Sequence, residues 1–251
     1  MPISIKTQEE IEIMRKAGKI LAQTLEEVIK YAKEGVSTGE LDKIAEDFIR
    51  SKGMLPAFKG FQGFPATLCT AINEVVVHGI PRMDEILKDG DLFTADCGVL
   101  DKGFYTDAAR SIIIGNNPSK EKLRLIKTAK LALDRGIMMA QPGNHVSEIS
   151  IVIEKTIEDA GFKVIHDLTG HGVGRDLHEE PTIMNSWDGT KGPILKPGMT
   201  IAIEPIFSVG TSEIITLKDD WTIITKDRSC AVQEENTILI TESGNEILTV
   251  Q

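Results

Sequence analysis

The chain has 251 residues, 41% of them hydrophobic, enough to bury one large core. Its net charge of −10 argues against nucleic acid or an anionic membrane surface as principal partner. Cys69, Cys97 and Cys230 form no metal or redox spacing, and there is no apolar leader and no long apolar run, so a soluble cytoplasmic protein is expected.

Thr7 followed by Glu10 is a capping box, opening an amphipathic helix with Ile11, Met14, Ile20, Leu21, Leu25 and Val28 on one side, which ends near Gly35. Thr38 is placed to cap a second helix carrying Leu41, Ile44, Phe48 and Ile49, which stops at Gly53. Phe58, Phe61 and Phe64 then cluster around Gly60 and Gly63, a loop that either lines an apolar ligand pocket or packs as core. Strands follow at 67–78, 91–100 and 103–114. Ser119 starts a third helix that ends before Pro142 and Gly143, and a fourth runs to Gly161. Strands near 163–168, 199–208, 213–217, 221–225 and 231–240 complete the chain. This order predicts an α+β fold, with helices covering one face of a curved, mainly antiparallel sheet.

The second half repeats the first. Residues 87–96 read LKDGDLFTAD and residues 195–204 read LKPGMTIAIE, 108 positions later. The same offset aligns Leu25 with Leu133, Gly35 with Gly143, Glu40 with Glu148 and Gly53 with Gly161. Two copies are too few for a solenoid. They imply one domain over 1–251 built from related halves, approximately 8–115 and 119–241.

Each copy ends in an acid, Asp96 or Glu204, at the close of an apolar run, and buried carboxylates are costly unless paired or bound to metal. Asp96 and Asp107 lie on strands joined by a turn. A two-residue turn at Asp101-Lys102 would set the acids directly opposite, and a bulge at Gly103 would shift them by one. Like charges so placed repel unless a divalent cation lies between them. Alternation puts Gln233, Glu235 and Thr237 on one face and Glu234 and Asn236 on the other, so one acid of the Glu234-Glu235 pair points inward. The segment GHGVGRDLHEEP (170–181) holds His171 and His178, with glycines at 170, 172 and 174 free to turn sharply or approach a ligand. A third histidine, His78, sits in VVVHGIP, whereas His145 and His166 have no chemical company. One histidine with four carboxylates is too rich in oxygen for structural zinc. It suits Mn²⁺, Fe²⁺, Co²⁺ or Zn²⁺ in a two-metal site, where ions ~3.5–4 Å apart activate water for amide hydrolysis.

The ordered set Asp96, Asp107, His171, Glu204 and Glu235, with NEVVVHGIP, TGHGVGRDLHEEP and Trp221 in KDDWTIITKDRS, resembles the type I methionine aminopeptidases, over essentially the whole chain. The resemblance implies the pita-bread fold, with pseudo-twofold halves and two divalent metals at the centre of the sheet. It selects Glu235 over Glu234. Asp96 is then expected to chelate one metal, His171 and Glu204 the other, and Asp107 and Glu235 to bridge both, completing the two halves. Glu204 would also move a proton, His178 would donate to the scissile carbonyl oxygen, and His78 would bind the amide or the next residue. Phe58, Phe61, Phe64, Cys69, Leu177 and Trp221 would surround the methionine side chain. Many relatives carry cysteine at position 58, tyrosine at 61 and 64, and phenylalanine at 177; this chain stays apolar there. The implied substrate is the N-terminal methionine of peptides and nascent proteins with a small second residue, handled by a cytoplasmic monomer. The alternatives are a proline-directed peptidase or a non-catalytic binding module on the same fold. The first generally carries a large extra N-terminal domain, and the second loses metal ligands.

Overall fold

In the computed structural model, which describes residues 3–250, the Thr7 hydroxyl accepts from Glu10 N and the Glu10 carboxylate accepts from Thr7 N, opening α1 (Gln8–Tyr31). Its apolar side buries Ile11, Met14, Leu21, Leu25 and Val28, and Ile20 is half-buried. α2 (Thr38–Ser51) is capped by Ser37 rather than Thr38, because the Thr38 hydroxyl is occupied by Arg82 and Glu85. β1 (Leu55–Pro56), β2 (Leu68–Ile72), β3 (Val75–Val77), β4 (Leu92–Asp101) and β5 (Phe104–Ile113) complete the first half. The second contains α3 (Lys120–Met139), α4 (Val146–Asp159), β6 (Lys163–Val164), β7 (Thr169–Gly172), β8 (Glu179–Met184), β9 (Thr200–Ile203), β10 (Ile206–Ser208), β11 (Ile214–Thr216), β12 (Ile223–Thr225), β13 (Ala231–Gln233), β14 (Asn236–Ile240) and β15 (Asn245–Ile247). Every strand pairing is antiparallel, and the architecture is the α+β pita-bread fold that the resemblance implies.

Several long strands expected from the sequence are broken. The 67–78 run divides at Asn73, which adopts φ +53° and ties its side chain to Leu92 N and Asp91. The 199–208 run divides at Glu204-Pro205, where proline has no N–H for a ladder. The 231–240 run divides at Glu234-Glu235. The 163–168 run supplies only β6, and β8 forms between the expected strands at 163–168 and 199–208.

Alternation on β4 sorts its side chains. Phe93, Ala95, Cys97 and Val99 pack under the helices with Leu21, Leu25, Leu41 and Ile49, which points Asp96 to the opposite face. In the second half Ile201 and Ile203 pack with Leu133, Ile149 and Ile153, leaving Glu204 the opposite direction. Burying each large aliphatic side chain contributes about 1.5–3 kcal/mol, so the helix layer fixes which way both acids face.

The 108-residue repeat is geometric as well as sequential. Gly35 N donates to Leu87 O and Gly143 N to Leu195 O, both at 2.9 Å. The bridge Ser37–Ile86 recurs as His145–Ile194, and the pair Leu55–Leu100 recurs as Lys163–Ser208. The hairpin register differs from expectation. Lys102 and Gly103 both take positive φ (48° and 83°), the geometry of a two-residue turn one position later. Asp96 therefore faces Ala109 and Asp107 faces Gly98, so the acids are diagonal neighbours on one face rather than directly opposite. In the second half Gln233 faces Ile206, as Asp107 faces Gly98. Asp107 and Glu235 are thus not symmetry mates. The counterpart of Asp107 is Gln233, and that of Glu235 is Ala109.

The halves meet along β5. Asp107 N donates to the Thr237 hydroxyl (2.9 Å), which donates back to Asp107 O (2.8 Å). Ser111 N donates to Glu234 (3.0 Å), and Glu235 N to Ala109 O (3.1 Å). The Arg110 guanidinium reaches Glu235 O, the Asn236 side chain and Thr249 O.

Candidate metal centre and substrate pocket

The seam between the halves opens into a cavity of about 550 Å³. Asp96, Asp107, His171, Glu204 and Glu235 form its floor, and His78 and His178 also line it. Phe58, Phe61, Phe64, Cys69, Leu177 and Trp221 add an apolar wall, and Glu179 and Gln233 are among the other residues that line the cavity. The phenylalanine loop resolves its two sequence readings by satisfying both. Phe58 and Phe64 pack in a small core with Ala57, Ala66, Cys69 and Leu177, and the same cluster lines the cavity. Trp221 closes one side with an edge contact to Phe64, ring centroids 5.1 Å apart. His145 and His166 lie elsewhere, bonded to Gly192 O and the Ser186 hydroxyl.

One ligand atom each from Asp107, His171 and Glu235 lies within 4.8 Å of the others. His171 Nδ1 donates to Gly172 O at 2.9 Å, since a carbonyl can only accept. That fixes the tautomer and leaves the Nε2 lone pair facing Glu204 Oε1 at 3.5 Å and Asp107 Oδ2 at 3.9 Å. Gln233 Nε2 fills the position equivalent to Asp107, 3.4 Å from Asp96 and 3.3 Å from both Glu204 and Glu235. Alternation put Gln233 on this face, but an amide carries no metal-ligand signal, so the sequence did not mark it as a site residue.

The glycines of 170–174 serve a purpose other than the sharp turns expected of them: none has positive φ. A Cβ on Gly170 would lie 2.3 Å from Ala202 O, and one on Gly172 would lie 2.3 Å from Glu180 O. They let β7 fit closely between β8 and β9 and so deliver His171. His78 does occupy the left-handed region, φ +57°, a conformation rare outside glycine that collects at functional sites.

The electrostatics are those of an uncompensated acid cluster. Burial raises the carboxyl of Asp96 to about 7, and lifts those of Asp107, Glu204 and Glu235 well above the ordinary range, with mutual repulsion adding to the effect. Burial also lowers His78 to about 4 and His171 to about 3, and lowers His178, so all three imidazoles are neutral near pH 7. Asp96 Oδ1, Asp107 Oδ1 and Glu235 Oε1 are buried with no hydrogen-bond partner among the described residues. Orphaned carboxylate oxygens beside a free imidazole nitrogen are what a divalent cation satisfies, so this donor set fits a transition-metal centre.

A model of metallopeptidase family M24 matches residues 12–242. The chain belongs to metallopeptidase family M24. The M24 chain is 45% identical to a methionine aminopeptidase of Clostridium acetobutylicum over 99% of both chains. It is 44% identical to that of Escherichia coli strain K12, over 100% of this chain and 95% of the relative. Among solved structures, a methionine aminopeptidase from Thermotoga maritima superposes with a TM-score of 0.96 at 41% identity, covering 99% of this chain and 100% of that one. A prolidase from Pyrococcus furiosus gives 0.81 at 29% identity, covering 98% of this chain and 65% of that one. An M24 metallopeptidase uses divalent metal, and the acid cluster is where this chain would hold it.

Proposed function

We propose that this M24 enzyme is an aminopeptidase that removes the N-terminal methionine of peptides and nascent proteins whose second residue is small. The observation that carries this is the meeting of two surfaces in one cavity, an apolar wall suited to a flexible thioether and a floor of metal-ligating groups. Near full-length identity of 44–45% to methionine aminopeptidases supports it, against 29% to the prolidase.

Asp96, Asp107, His171, Glu204 and Glu235 would hold two divalent ions, drawn from Co²⁺, Mn²⁺, Fe²⁺ and Zn²⁺. When bound, the ions activate water and polarise the scissile carbonyl. Around them the protein positions the substrate. Phe58, Phe61, Phe64, Cys69, Leu177 and Trp221 receive the methionine side chain and exclude water. Neutral His178 donates a hydrogen bond to the carbonyl oxygen as negative charge develops there, a role worth about 3–4 kcal/mol. His78, neutral and buried, binds the scissile amide or the next residue. Glu204, whose carboxyl burial lifts well above the ordinary range, takes up a proton and carries it to the leaving amine. A monomer working in a reducing cytoplasm is consistent with three free cysteines and a net charge of −10.

Turnover of Met-Gly-, Leu-Gly- and Ala-Pro-peptides by the Mn²⁺- or Co²⁺-loaded protein tests the reading. Met-Gly should be cleaved fastest. Preference for Ala-Pro would replace it with a proline-directed activity, and full activity in the rigorously metal-free protein would remove its basis.

A further inference from the structure

His178 and Leu177 ride on a turn between β7 and β8, and one contact in that turn is not explained by the cavity. Lys6 leaves the surface before α1 begins and buries its ammonium against the Glu179 carboxylate, Nζ to Oε2 2.6 Å, with side-chain exposures of 1% and 9%. The other carboxylate oxygen accepts from Arg175 N (2.6 Å) and Asp176 N (3.2 Å). Glu179 thus gathers both ends of the turn that presents Leu177 and His178. Three further contacts hold the turn from the first half. Tyr105 N donates to Gly174 O at 2.7 Å, Arg175 pairs with Glu10, and its guanidinium lies 5.0 Å over the Phe104 ring. Lys6 is itself fixed by Lys6 N donating to Gly198 O at 2.8 Å.

Gly174 supports a dedicated passage for this lysine. It is not among the glycines of positive φ, so its backbone does not require glycine. A Cβ there would lie 2.3 Å from Lys6 Cε and 2.6 Å from Nζ. A buried ion pair is a poor source of stability, since desolvation offsets the attraction, but it enforces one geometry because breaking it strands a charge. The geometry it enforces here is that of His178, whose ring stands edge-on to His171 at 4.4 Å and to Phe61 at 5.5 Å.

We infer that Lys6 is a positioning residue for the reaction, acting through Glu179 to hold His178 at its working distance from the metal centre. The inference rests on the proposed role of His178. A misplacement on the order of 1 Å in a group that acts in the transition state costs up to ~100-fold in rate. The loss should fall on kcat.

The test is a double-mutant cycle in the full-length, Mn²⁺-loaded protein: Lys6→Met, His178→Ala and the pair. Lys6→Met should lower kcat on a Met-Gly-peptide by at least about tenfold, with KM within about twofold and bound Mn²⁺ per chain unchanged. In the His178→Ala background the same change should cost less than about twofold, because the group it positions is gone. In the metal-free protein, amide exchange at Arg175 and Asp176 should speed up in Lys6→Met. Glu179→Gln keeps an acceptor for those amides but removes the charge, and it carries the same cycle if Lys6→Met does not fold. An equal kcat loss in both backgrounds, or none in either, overturns the inference. Full kcat in His178→Ala alone removes the premise, so the two failures appear in different variants.

Discussion

Removing metal and raising the pH should expose the cost of the acid cluster. Asp96, Asp107, Glu204 and Glu235 share a buried space, and each is raised above the ordinary carboxyl range. A carboxyl raised in the folded state keeps a proton that the unfolded chain has already released. Its contribution is therefore intact below the unfolded value and lost as pH climbs towards the folded one. Raised from 3.8 to about 7, Asp96 alone loses about 4 kcal/mol across that range. The histidines act in the opposite sense. His78 and His171 are lowered from 6.5 to about 4 and about 3, so their neutral forms add stability as pH rises to 6.5 and nothing beyond it. The opposing contributions overlap below pH 6.5, and of these histidines and carboxyls only the carboxyls act above it. The metal-free protein should therefore keep losing stability as pH rises above 6.5, by up to roughly 1.4 kcal/mol per pH unit for each carboxyl still protonated. At about 2–4 °C per kcal/mol, this is a visible fall in Tm. With Mn²⁺ bound, metal replaces protons and Tm should hold or rise over the same range. Thermal unfolding by circular dichroism, in EDTA and in saturating Mn²⁺ from pH 5.5 to 8.5, makes the comparison. A metal-free Tm that is flat or rising above pH 6.5 refutes the reasoning.

His178→Ala should lower kcat by about 10²–10³-fold with bound metal per chain unchanged; loss of metal, measured by elemental analysis, would instead make His178 a ligand. Thr237→Val removes the hydroxyl that spans Asp107 N and O and should cost about 1–3 kcal/mol in urea unfolding. Unchanged stability there would mean that the seam does not depend on this bridge. Trp221→Ala opens the wall beside Phe64 and should raise KM for Met-Gly-peptides by about tenfold while kcat falls less, because the lost contact binds ground state and transition state alike.

The sequence carried the helices and the floor of the cavity well, for identifiable reasons. The capping box at Thr7, the glycines at 53 and 161 that follow α2 and α4, and the alternation that sorts Gln233 from Glu234 are local rules, and local rules survive folding. The misses are tertiary. The hairpin turns at Lys102-Gly103 because both residues accept positive φ, and that one-position choice moved Asp107 from opposite Asp96 to opposite Gly98. β8 was hidden because its Glu-Glu-Pro opening looks nothing like a strand. Gln233 and Lys6 were invisible as site residues because neither is a ligand type. The first is legible only by laying one half over the other, and the second only once the chain's start is seen lying across Gly174.

The seam along β5 also bears on how this molecule could be taken apart. Asp96 and Asp107 belong to one half and His171, Glu204 and Glu235 to the other, and Arg110 and Thr237 bridge the halves. A nick in the largely exposed 115–119 connection would leave two fragments, each with only part of the proposed ligand set. Metal would then act as the adhesive in fragment complementation, drawing two separately made chains together and reporting their reunion as restored catalysis.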